Sequence, residues 1–254
     1  MTDLIVFSVA GNKYALKIDN ILRIIESIEL TDIPNSHPSI DGMMSYEDGI
    51  LKVVNFRKLI GLNSYDFELV ELFSKLQIAH KVWLDELTHA VENRLSFTKT
   101  TDSHKCELGI WLDNFNSYDD KISVIYKNLT KAHKFLHGRA KDVLIANRTD
   151  NKYAMEILKT DIYSAFHTTM ENLDVFINEI DSIVNSLQKF LIYEKDGKTF
   201  AIKVDTIEDI AHICEKDIVV SDEKNMINEF LELDGVLDLD GVLINIIKTV
   251  NLPK

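Results

Sequence analysis

The two ends of the chain carry the same pattern, and this internal repeat constrains the fold more than any other feature of the sequence. Residues 11–21, GNKYALKIDNI, reappear as residues 197–207, GKTFAIKVDTI, at a constant offset of 186. A second match follows in the same order, with DGIL at residues 48–51 and DGVL at residues 240–243, at an offset of 192. The two ends are therefore predicted to be related half-domains that an insertion separates.

Both half-domains are predicted to consist of short β-strands. The segments IVFSV, YALKI and ILKVV in the first half, and KFLIYE, TFAIKV and VLINII in the second, are rich in β-branched and aromatic residues. Turns that contain Gly, Asn or Asp separate these segments, as expected between neighbouring strands. The pattern is typical of a small β-barrel or a β-sandwich.

The middle of the chain is predicted to be helical, because residues 63–188 contain two of the nine glycines and no proline. Three stretches, beginning near Phe67, Ile122 and Met155, carry apolar residues at helical spacing. With a shorter segment around Cys106 they predict a four-helix bundle, whose ends can share one pole and so join a host loop. The predicted boundaries are a first half-domain at 1–62, an insertion at 63–188 and a second half-domain at 189–254.

Composition limits the classes of function that the chain can have. The formal net charge of −13 opposes binding to nucleic acid or to an anionic membrane surface. No stretch approaches 18 uncharged apolar residues, so we expect no membrane insertion. The first residues lack a basic leader, so the chain is expected in the cytoplasm, where its two cysteines stay reduced.

Three histidines and one cysteine form a candidate metal site. His80 interrupts the apolar stripe of the first predicted helix, and His133 and His137 lie four residues apart on one face of another. Cys106 lies between these helices in the sequence. Each histidine alone is more often a hydrogen-bonded core residue, but the combination favours a metal. Imidazole nitrogen and thiolate sulfur in tetrahedral geometry suit Zn²⁺.

The segment CELGIW, residues 106–111, resembles the CxLGxW motif of the chemoreceptor zinc-binding (CZB) domain. The similarity covers about residues 66–188. It implies a mostly helical bundle that commonly forms homodimers. It also implies Zn²⁺ held by His80, Cys106, His133 and His137, in the family's ligand order.

The remaining candidates have weaker support. His104 lies two residues before Cys106, and two readings stay open: a competing ligand or a residue of a surface loop. Cys214 is expected to be a small buried apolar residue. Trp83 and Trp111 are expected to pack the core beside the metal and to limit the access of water.

The outer halves resemble CheW-like domains, which couple chemoreceptors to the chemotaxis histidine kinase. The similarity covers about residues 3–62 and 189–252. It implies a pair of small β-barrels side by side, and as partners the histidine kinase and the chemoreceptor cytoplasmic domains. The segments that carry it are FSV and GNKYAL near the start, Ile33-Pro34, ILKVVNFRKL at residues 50–59 in place of the family's strand ending in Asp-Leu-Arg, and Val204-Asp205-Thr206-Ile207.

One departure from the family pattern affects partner choice. Many members carry Asn-Leu-Arg-Gly just before the strand that begins at Ile50, whereas this chain has Ser45-Tyr46-Glu47-Asp48. Glu47 therefore replaces a cation with an anion. Because charge complementarity selects partners, the usual contact is not expected to transfer unchanged.

The resemblance implies a chemotaxis adaptor whose inserted module senses zinc availability or oxidants, such as hypochlorous acid, through a zinc-bound cysteine. The alternative is a zinc or redox sensor or scaffold that acts outside the receptor–kinase complex. We expect no enzyme activity. A zinc hydrolase needs an open metal position and a general base, but only Lys, Phe and Leu stand between His133 and His137.

Overall fold

The computed structural model describes residues 2–117, 119–219 and 226–253. The chain divides into two compact units, of which one combines Met1–Tyr65 with Val184–Lys254 and the other comprises Asp66–Ile183. The first unit is therefore built from both chain ends. The boundaries at residues 62 and 188 drawn from the sequence stay a prediction.

In its described residues, the unit of both chain ends consists of β-sheet, one short α-helix, α1 (Phe56–Leu59), and 3₁₀ turns at Ile18–Asn20 and Glu215–Asp217. Asn55 caps this helix by accepting a hydrogen bond from the backbone N–H of Lys58. Its described strands are β1 (Thr2–Val9), β2 (Asn12–Lys17), β3 (Ile21–Glu26), β4 (Ile40–Tyr46), β5 (Gly49–Asn55), β6 (Lys189–Lys195), β7 (Lys198–Val204), β8 (Thr206–Ile213), β9 (Met226–Asn228), β10 (Leu231–Leu239) and β11 (Val242–Val250).

Each of the two sheets contains strands from both ends of the chain. The six-stranded sheet has the order β8-β1-β2-β11-β10-β9, and the five-stranded sheet has the order β3-β6-β7-β5-β4. The repeat relates the two sheets strand by strand. The order β3-β6-β7-β5-β4 corresponds to the order β8-β1-β2-β11-β10, and β9 lies outside this correspondence. The first hairpin of each half therefore lies in the sheet that the other half completes.

The strand registers extend the repeat to individual residues. Every pair between β6 and β3 has a counterpart 186 residues away between β1 and β8, including the β-bulge beside Phe7 and beside Tyr193. The second hairpins of the two halves correspond at an offset of 193 residues, rather than the 192 of the sequence match, since Gly42 pairs with Val53 and Gly235 with Ile246. The DGIL and DGVL match is thus out of structural register by one residue, because the two-residue turns align Glu47 with Asp240.

The prediction of a mixed β and helical chain is confirmed, but its pair of small β-barrels is wrong in that neither sheet closes among the described strands. In the part of the chain that the structure describes, the strand orders are linear, with β8 and β9 at the edges of one sheet and β3 and β4 at the edges of the other. A barrel requires its first and last strands to pair with one another. The fold is instead mixed α and β, with two open sheets and a helical segment.

Alternation along the strands places one apolar set between the sheets. Phe7 of β1, Leu16 of β2 and Tyr193 of β6 belong to a single buried cluster that draws on both sheets. Their strand neighbours point the other way, so that Val6 and Ile192 belong to separate clusters on the opposite faces. Both faces of each sheet are therefore partly buried.

The second unit is helical, as the sequence pattern predicts. The third long stretch contains a π-helical turn at Leu158–Ile162. Asp119 and Asp150 accept hydrogen bonds from backbone N–H groups at the starts of two helices. The described helices are α2 (Tyr65–Glu92), α3 (Glu107–Asn114), α4 (Asp120–Asn147), α5 (Asn151–Ile157), α6 (Tyr163–Asn178) and α7 (Ile180–Leu187). The two unit boundaries fall after the first residue of α2 and within α7.

The apolar faces of the long helices share a buried cluster. Leu87 of α2, Leu136 of α4 and Ile162 of the π-helical turn are almost fully buried in the same cluster. Within the described ranges, none of the helices has the length and hydropathy that crossing a membrane would require.

Candidate metal centre

The structure brings the four candidate ligands of the helical unit together. His80 projects from α2, His133 and His137 from α4, and Cys106 precedes α3. One ligand atom from each lies within 4.8 Å of all the others. Tetrahedral zinc with bonds of roughly 2.0–2.3 Å requires ligand atoms roughly 3.3–3.8 Å apart. The arrangement is therefore close to the size of a zinc site.

Individual distances show how compact the centre is. The Sγ of Cys106 lies 3.1 Å from Nε2 of His133 and 4.0 Å from Nε2 of His80. The two Nε2 atoms of His80 and His133 are 3.3 Å apart. Three electron-pair donors thus converge from three different segments of the chain.

Burial keeps the three imidazoles neutral. Desolvation lowers the pKa of His80, and it lowers the pKa of His133 to about 3 with further lowering by His137 and His80. Desolvation followed by the charge of His80 lowers the pKa of His137 to about 4. A neutral imidazole has a free nitrogen lone pair, which is the form that binds a metal.

A backbone carbonyl orients His80 for metal binding. Nδ1 of His80 lies 2.8 Å from the carbonyl oxygen of Leu76, one turn earlier on α2. Because a carbonyl only accepts, Nδ1–H donates and Nε2 carries the lone pair. Nε2 is the nitrogen that faces Cys106 and His133, so the carbonyl selects the tautomer that a ligand needs.

His137 provides the clearest test of whether a metal fits. The residue is 1% exposed, and among the described residues neither ring nitrogen has a partner at full hydrogen-bond distance and angle, although the Thr100 backbone opposes the fall of its pKa. A buried polar group without a partner costs about 1–3 kcal/mol. Coordination of one nitrogen removes this penalty, so the donor set of three imidazoles and one thiol fits Zn²⁺.

Cys106 is held at the start of a helix. As the N-cap of α3, its Sγ accepts a hydrogen bond from the backbone N–H of Gly109 at 3.3 Å. Burial raises the pKa of the Cys106 thiol, whereas the backbone N–H groups of Gly109 and Leu108 oppose the rise. The backbone thus favours the thiolate that zinc requires, although the apolar surroundings do not.

Gly109 explains the glycine of the CxLGxW motif. A Cβ atom at this position would lie 1.5 Å from the carbonyl oxygen of Ser103. The thiol of Cys106 also points to this carbonyl, with Sγ 3.6 Å from the oxygen. Only glycine allows the loop to approach α3 this closely, so Gly109 sets the position of the cysteine.

The segment before Cys106 is anchored by Trp83. Its indole Nε1–H donates to the carbonyl oxygen of Thr100 at 2.9 Å, and its ring centroid lies 4.9 Å from that of His137. A cavity of about 330 Å³ adjoins the centre and is lined in part by Trp83, His80, His137 and Cys106. The half-buried thiol can thus be reached by small solutes.

The other sequence candidates have different surroundings. His104 is exposed and its Nδ1 lies 2.8 Å from a carboxylate oxygen of Asp113, and it is not in the four-residue group. Trp111 packs against Phe115 at a centroid distance of 4.9 Å. Cys214 is half-buried rather than buried, so that expectation was wrong. It directly follows β8, which is an edge strand of the described sheet.

Two contributors to the centre were missed in the sequence. The carbonyl of Leu76 gives no sequence signal, because every residue has one. Gly109 had a signal, since it is one of only two glycines between residues 63 and 188. A glycine in an otherwise glycine-poor helical segment indicates a close approach of backbones.

The chain thus combines a β-sheet unit built from both of its ends with a helical unit in which three histidines and a cysteine are placed to hold a metal ion. Residues 3–72 match the family model of the CheW-like domain, and residues 80–144 match that of the chemoreceptor zinc-binding domain. The chain therefore contains a CheW-like domain and a CZB domain, and zinc is the metal of the latter family.

Two solved structures are similar to this chain. The scaffolding protein TtCheW from Thermoanaerobacter tengcongensis aligns with a TM-score of 0.46 and 13% identity over 98% of this chain and 90% of its own. The regulatory CZB domain of DgcZ aligns with a TM-score of 0.39 and 15% identity over 45% of this chain and 98% of its own. Both scores are below 0.5, so the domain assignment depends on the family models. No match was found among curated proteins.

Proposed function

We propose that this chain is a chemotaxis adaptor that couples chemoreceptor cytoplasmic domains to the histidine kinase, and that its inserted zinc module controls this coupling. The observation that carries the proposal is the match of a CheW-like domain and a CZB domain in one chain. CheW-like and CZB domains are adaptor and regulatory domains without catalytic function. The exchange of strands between both chain ends supports the second half as part of the same CheW-like fold.

His80, Cys106, His133 and His137 are the zinc ligands in this proposal. Four protein ligands leave no coordination position for a substrate, which is typical of structural and regulatory zinc sites. The signal is therefore zinc occupancy or a chemical change of a ligand. Zinc binding joins α2, α3 and α4, so loss of one ligand weakens the connection between these helices.

Cys106 is the ligand most open to chemical change. Hypochlorous acid converts a thiolate into a sulfenic acid: sulfur is oxidised, the S–O bond forms as the O–Cl bond breaks, and chloride leaves. The product has lost the negative charge that binds zinc. The half-buried thiol beside the cavity supports this route.

A homodimer through the helical unit belongs to the same proposal. Ile78, Val82 and Phe135 are large apolar side chains of the helical unit with 61%, 48% and 55% exposure. Sedimentation equilibrium of the zinc-loaded chain, with Ile78→Glu and Phe135→Glu variants, tests it. A monomer at all concentrations contradicts the dimer and leaves the adaptor function unaffected.

The decisive experiment is co-sedimentation of the chain with receptor signalling domains and the kinase, zinc-loaded and zinc-stripped in parallel. Incorporation that depends on zinc supports a metal-controlled adaptor. Cys106→Ser should behave as the zinc-stripped chain in both preparations, whereas Cys214→Ser should behave as the wild type. Absence from the complex in both metal states contradicts the proposal.

A second function, a zinc or redox scaffold outside the receptor–kinase complex, is favoured by one observation. Glu47 is exposed in the turn between β4 and β5, with a φ of 50°. An acidic residue here selects a basic partner surface. Glu47→Arg should restore incorporation into the receptor–kinase complex if the wild type fails to enter it. Failure of both proteins supports the scaffold outside chemotaxis.

A further inference from the structure

A buried charged cluster lies in the sheet unit, away from the metal ligands. Arg57 of α1 is 3% exposed and its Nε lies 2.8 and 2.9 Å from the two carboxylate oxygens of Asp205. Its Nη2 lies 2.8 Å from Oδ2 of the same carboxylate. Asp205 directly follows β7, so the pair connects the first and the last part of the chain.

Two further side chains join this pair in what we define as the junction cluster, Arg57, Asp205, Gln188 and Tyr65. The backbone N–H of Ala10 also donates to Oδ2 of Asp205, at 2.9 Å. The side-chain amide of Gln188 donates to Oδ1 of Asp205 at 2.9 Å. The guanidinium carbon of Arg57 lies 4.4 Å from the ring centroid of Tyr65, a cation–π contact that burial strengthens.

The sequence positions of the junction cluster are those of the insertion ends. Tyr65 is the first residue of α2, the helix that carries His80, and Gln188 lies between the end of α7 and the start of β6. A second contact holds the same end of α7, since Oγ of buried Ser27 donates to the side-chain oxygen of Asn185 at 3.1 Å. The chain thus leaves and re-enters the sheets at one ion pair.

The internal repeat has no equivalent ion pair at the corresponding positions. At an offset of 186 the counterpart of Asp205 is Asp19, which is exposed in a 3₁₀ turn. At the hairpin offset of 193 the counterpart of Arg57 is Val250, an apolar residue that is 3% exposed. The repeat-related corner of the sheets, where no segment is inserted, is therefore built without such an ion pair.

We propose that Arg57 and Asp205 are positioning residues that hold both ends of the insertion and transmit changes at the metal centre to β5 and β7. The inference rests on the proposed function, in which zinc controls the CheW-like fold. α2 is one continuous helix from Tyr65 past His80, about 22 Å of axis at roughly 1.5 Å per residue. A displacement of His80 therefore reaches the ring that packs on Arg57.

Strands β5 and β7 are the expected recipients. They pair in parallel, with Val54 opposite Ile202 and Asn55 opposite Lys203. Arg57 follows β5 and Asp205 follows β7, so the ion pair closes the same end of both strands. Strain on the pair acts directly on the last hydrogen bonds between these strands.

The test measures amide hydrogen exchange in β5 and β7 of the full chain, with and without zinc. The main variant is Arg57→Met with Asp205→Leu, because removing both charges leaves no unpaired buried ion. The matched control is Asp19→Asn at the repeat counterpart. Zinc affinity is measured for each protein, so that a change in the metal centre is recognised.

We expect zinc to change exchange in the wild type and in Asp19→Asn by roughly fivefold or more, and in the double variant by less than about twofold, at unchanged zinc affinity. Gln188→Met keeps the ion pair and the fold, and should give an intermediate response. A full response in the double variant overturns the inference while the zinc-controlled function stands. Absence of any response in the wild type overturns the proposed function as well.

Discussion

Nε2 of His80 lies 3.3 Å from Nε2 of His133, although 53 residues separate the two histidines in the chain. Both rings are buried, and the pKa values of both lie below the usual value for histidine because of desolvation. The Leu76 carbonyl requires the proton of His80 on Nδ1. Two neutral imidazole nitrogens are held this close together most favourably when a cation binds between them and the Sγ of Cys106.

Replacement of the thiol ligand should abolish tight zinc binding. We expect Cys106→Ser to lower zinc affinity by more than about 100-fold, beyond the roughly 10–100-fold effect of residues that only orient ligands. Competition with a chromogenic chelator measures the affinity. Cys214→Ser is the control for cysteine removal and should bind one zinc as the wild type does; equal affinity of both variants would contradict the assigned ligand.

Gly109→Ala should weaken zinc binding without removing a ligand. A Cβ in its ideal position on residue 109 would lie 1.5 Å from the carbonyl oxygen of Ser103. This carbonyl must therefore move, together with Cys106, whose Sγ lies 3.6 Å from the same oxygen. We expect affinity to fall by about 10–100-fold. The control is Gly138→Ala on α4, where the Cβ meets no atom within 4 Å. That variant should keep zinc affinity and gain up to about 1 kcal/mol of helix stability. A zinc affinity of Gly109→Ala within twofold of the Gly138→Ala value, roughly the noise of such measurements, would contradict the role given to Gly109.

Zinc binding should release one proton over a wide pH range. The thiol has a raised pKa and must lose its proton, whereas His133 and His137, with pKa values of about 3 and about 4, are already neutral. Affinity should therefore rise about tenfold per pH unit between roughly pH 5 and 8. Calorimetry in buffers of different ionisation enthalpy counts the protons. A release of three or four protons below pH 6.5 would show that the histidines have ordinary pKa values, and it would contradict this prediction.

The same shifts predict how the stability of the zinc-free chain depends on pH. The pKa of His133 falls from 6.5 in the unfolded chain to about 3 in the folded one, so the unfolded state binds more protons between these values. The contribution of His133 to the free energy of unfolding should be constant above pH 6.5 and should decrease as the pH falls towards about 3. Urea unfolding followed by Trp83 and Trp111 fluorescence, which reports the helical unit, measures it. In His133→Phe the decrease over this range should be smaller, and an unchanged decrease would contradict the low pKa.

Trp83 should control how quickly the thiol reacts. Trp83→Phe removes the hydrogen bond to the Thr100 carbonyl and loosens the segment before Cys106. In the zinc-free chain we expect Cys106 to react with a thiol reagent several-fold faster, consistent with the loss of about 1 kcal/mol. Trp111→Phe, in a separate aromatic group, should leave the rate unchanged. The Cys214→Ser background ensures that only Cys106 is measured.

Much of the architecture could be predicted from the sequence because the signals are local or periodic. The offset of 186 identified the paired half-domains, and glycine and proline content marked the helical insertion. The spacing of four residues between His133 and His137 predicts that both lie on one face of a helix. The motif at Cys106 added the family resemblance.

Other features depend on contacts between distant segments, which no local pattern encodes. Strand exchange between the two ends, the open sheets and the offset of 193 follow from hydrogen bonding across the whole chain. The burial of Cys214 depends on what covers its strand, and the pattern around it did not reveal an edge. Arg57 and Asp205 meet across 148 positions.

The sequence by itself thus determined the repeat, the helical character of the insertion and the types of residue offered to a metal. Periodicity and motif spacing involve residues within a few turns or strands of one another, so they can be identified from the sequence alone. The tertiary structure alone decided that His80 faces His133, that Gly109 lies against the Ser103 carbonyl and that Arg57 pairs with Asp205. These are packing relationships, and they exist only when the whole chain has folded.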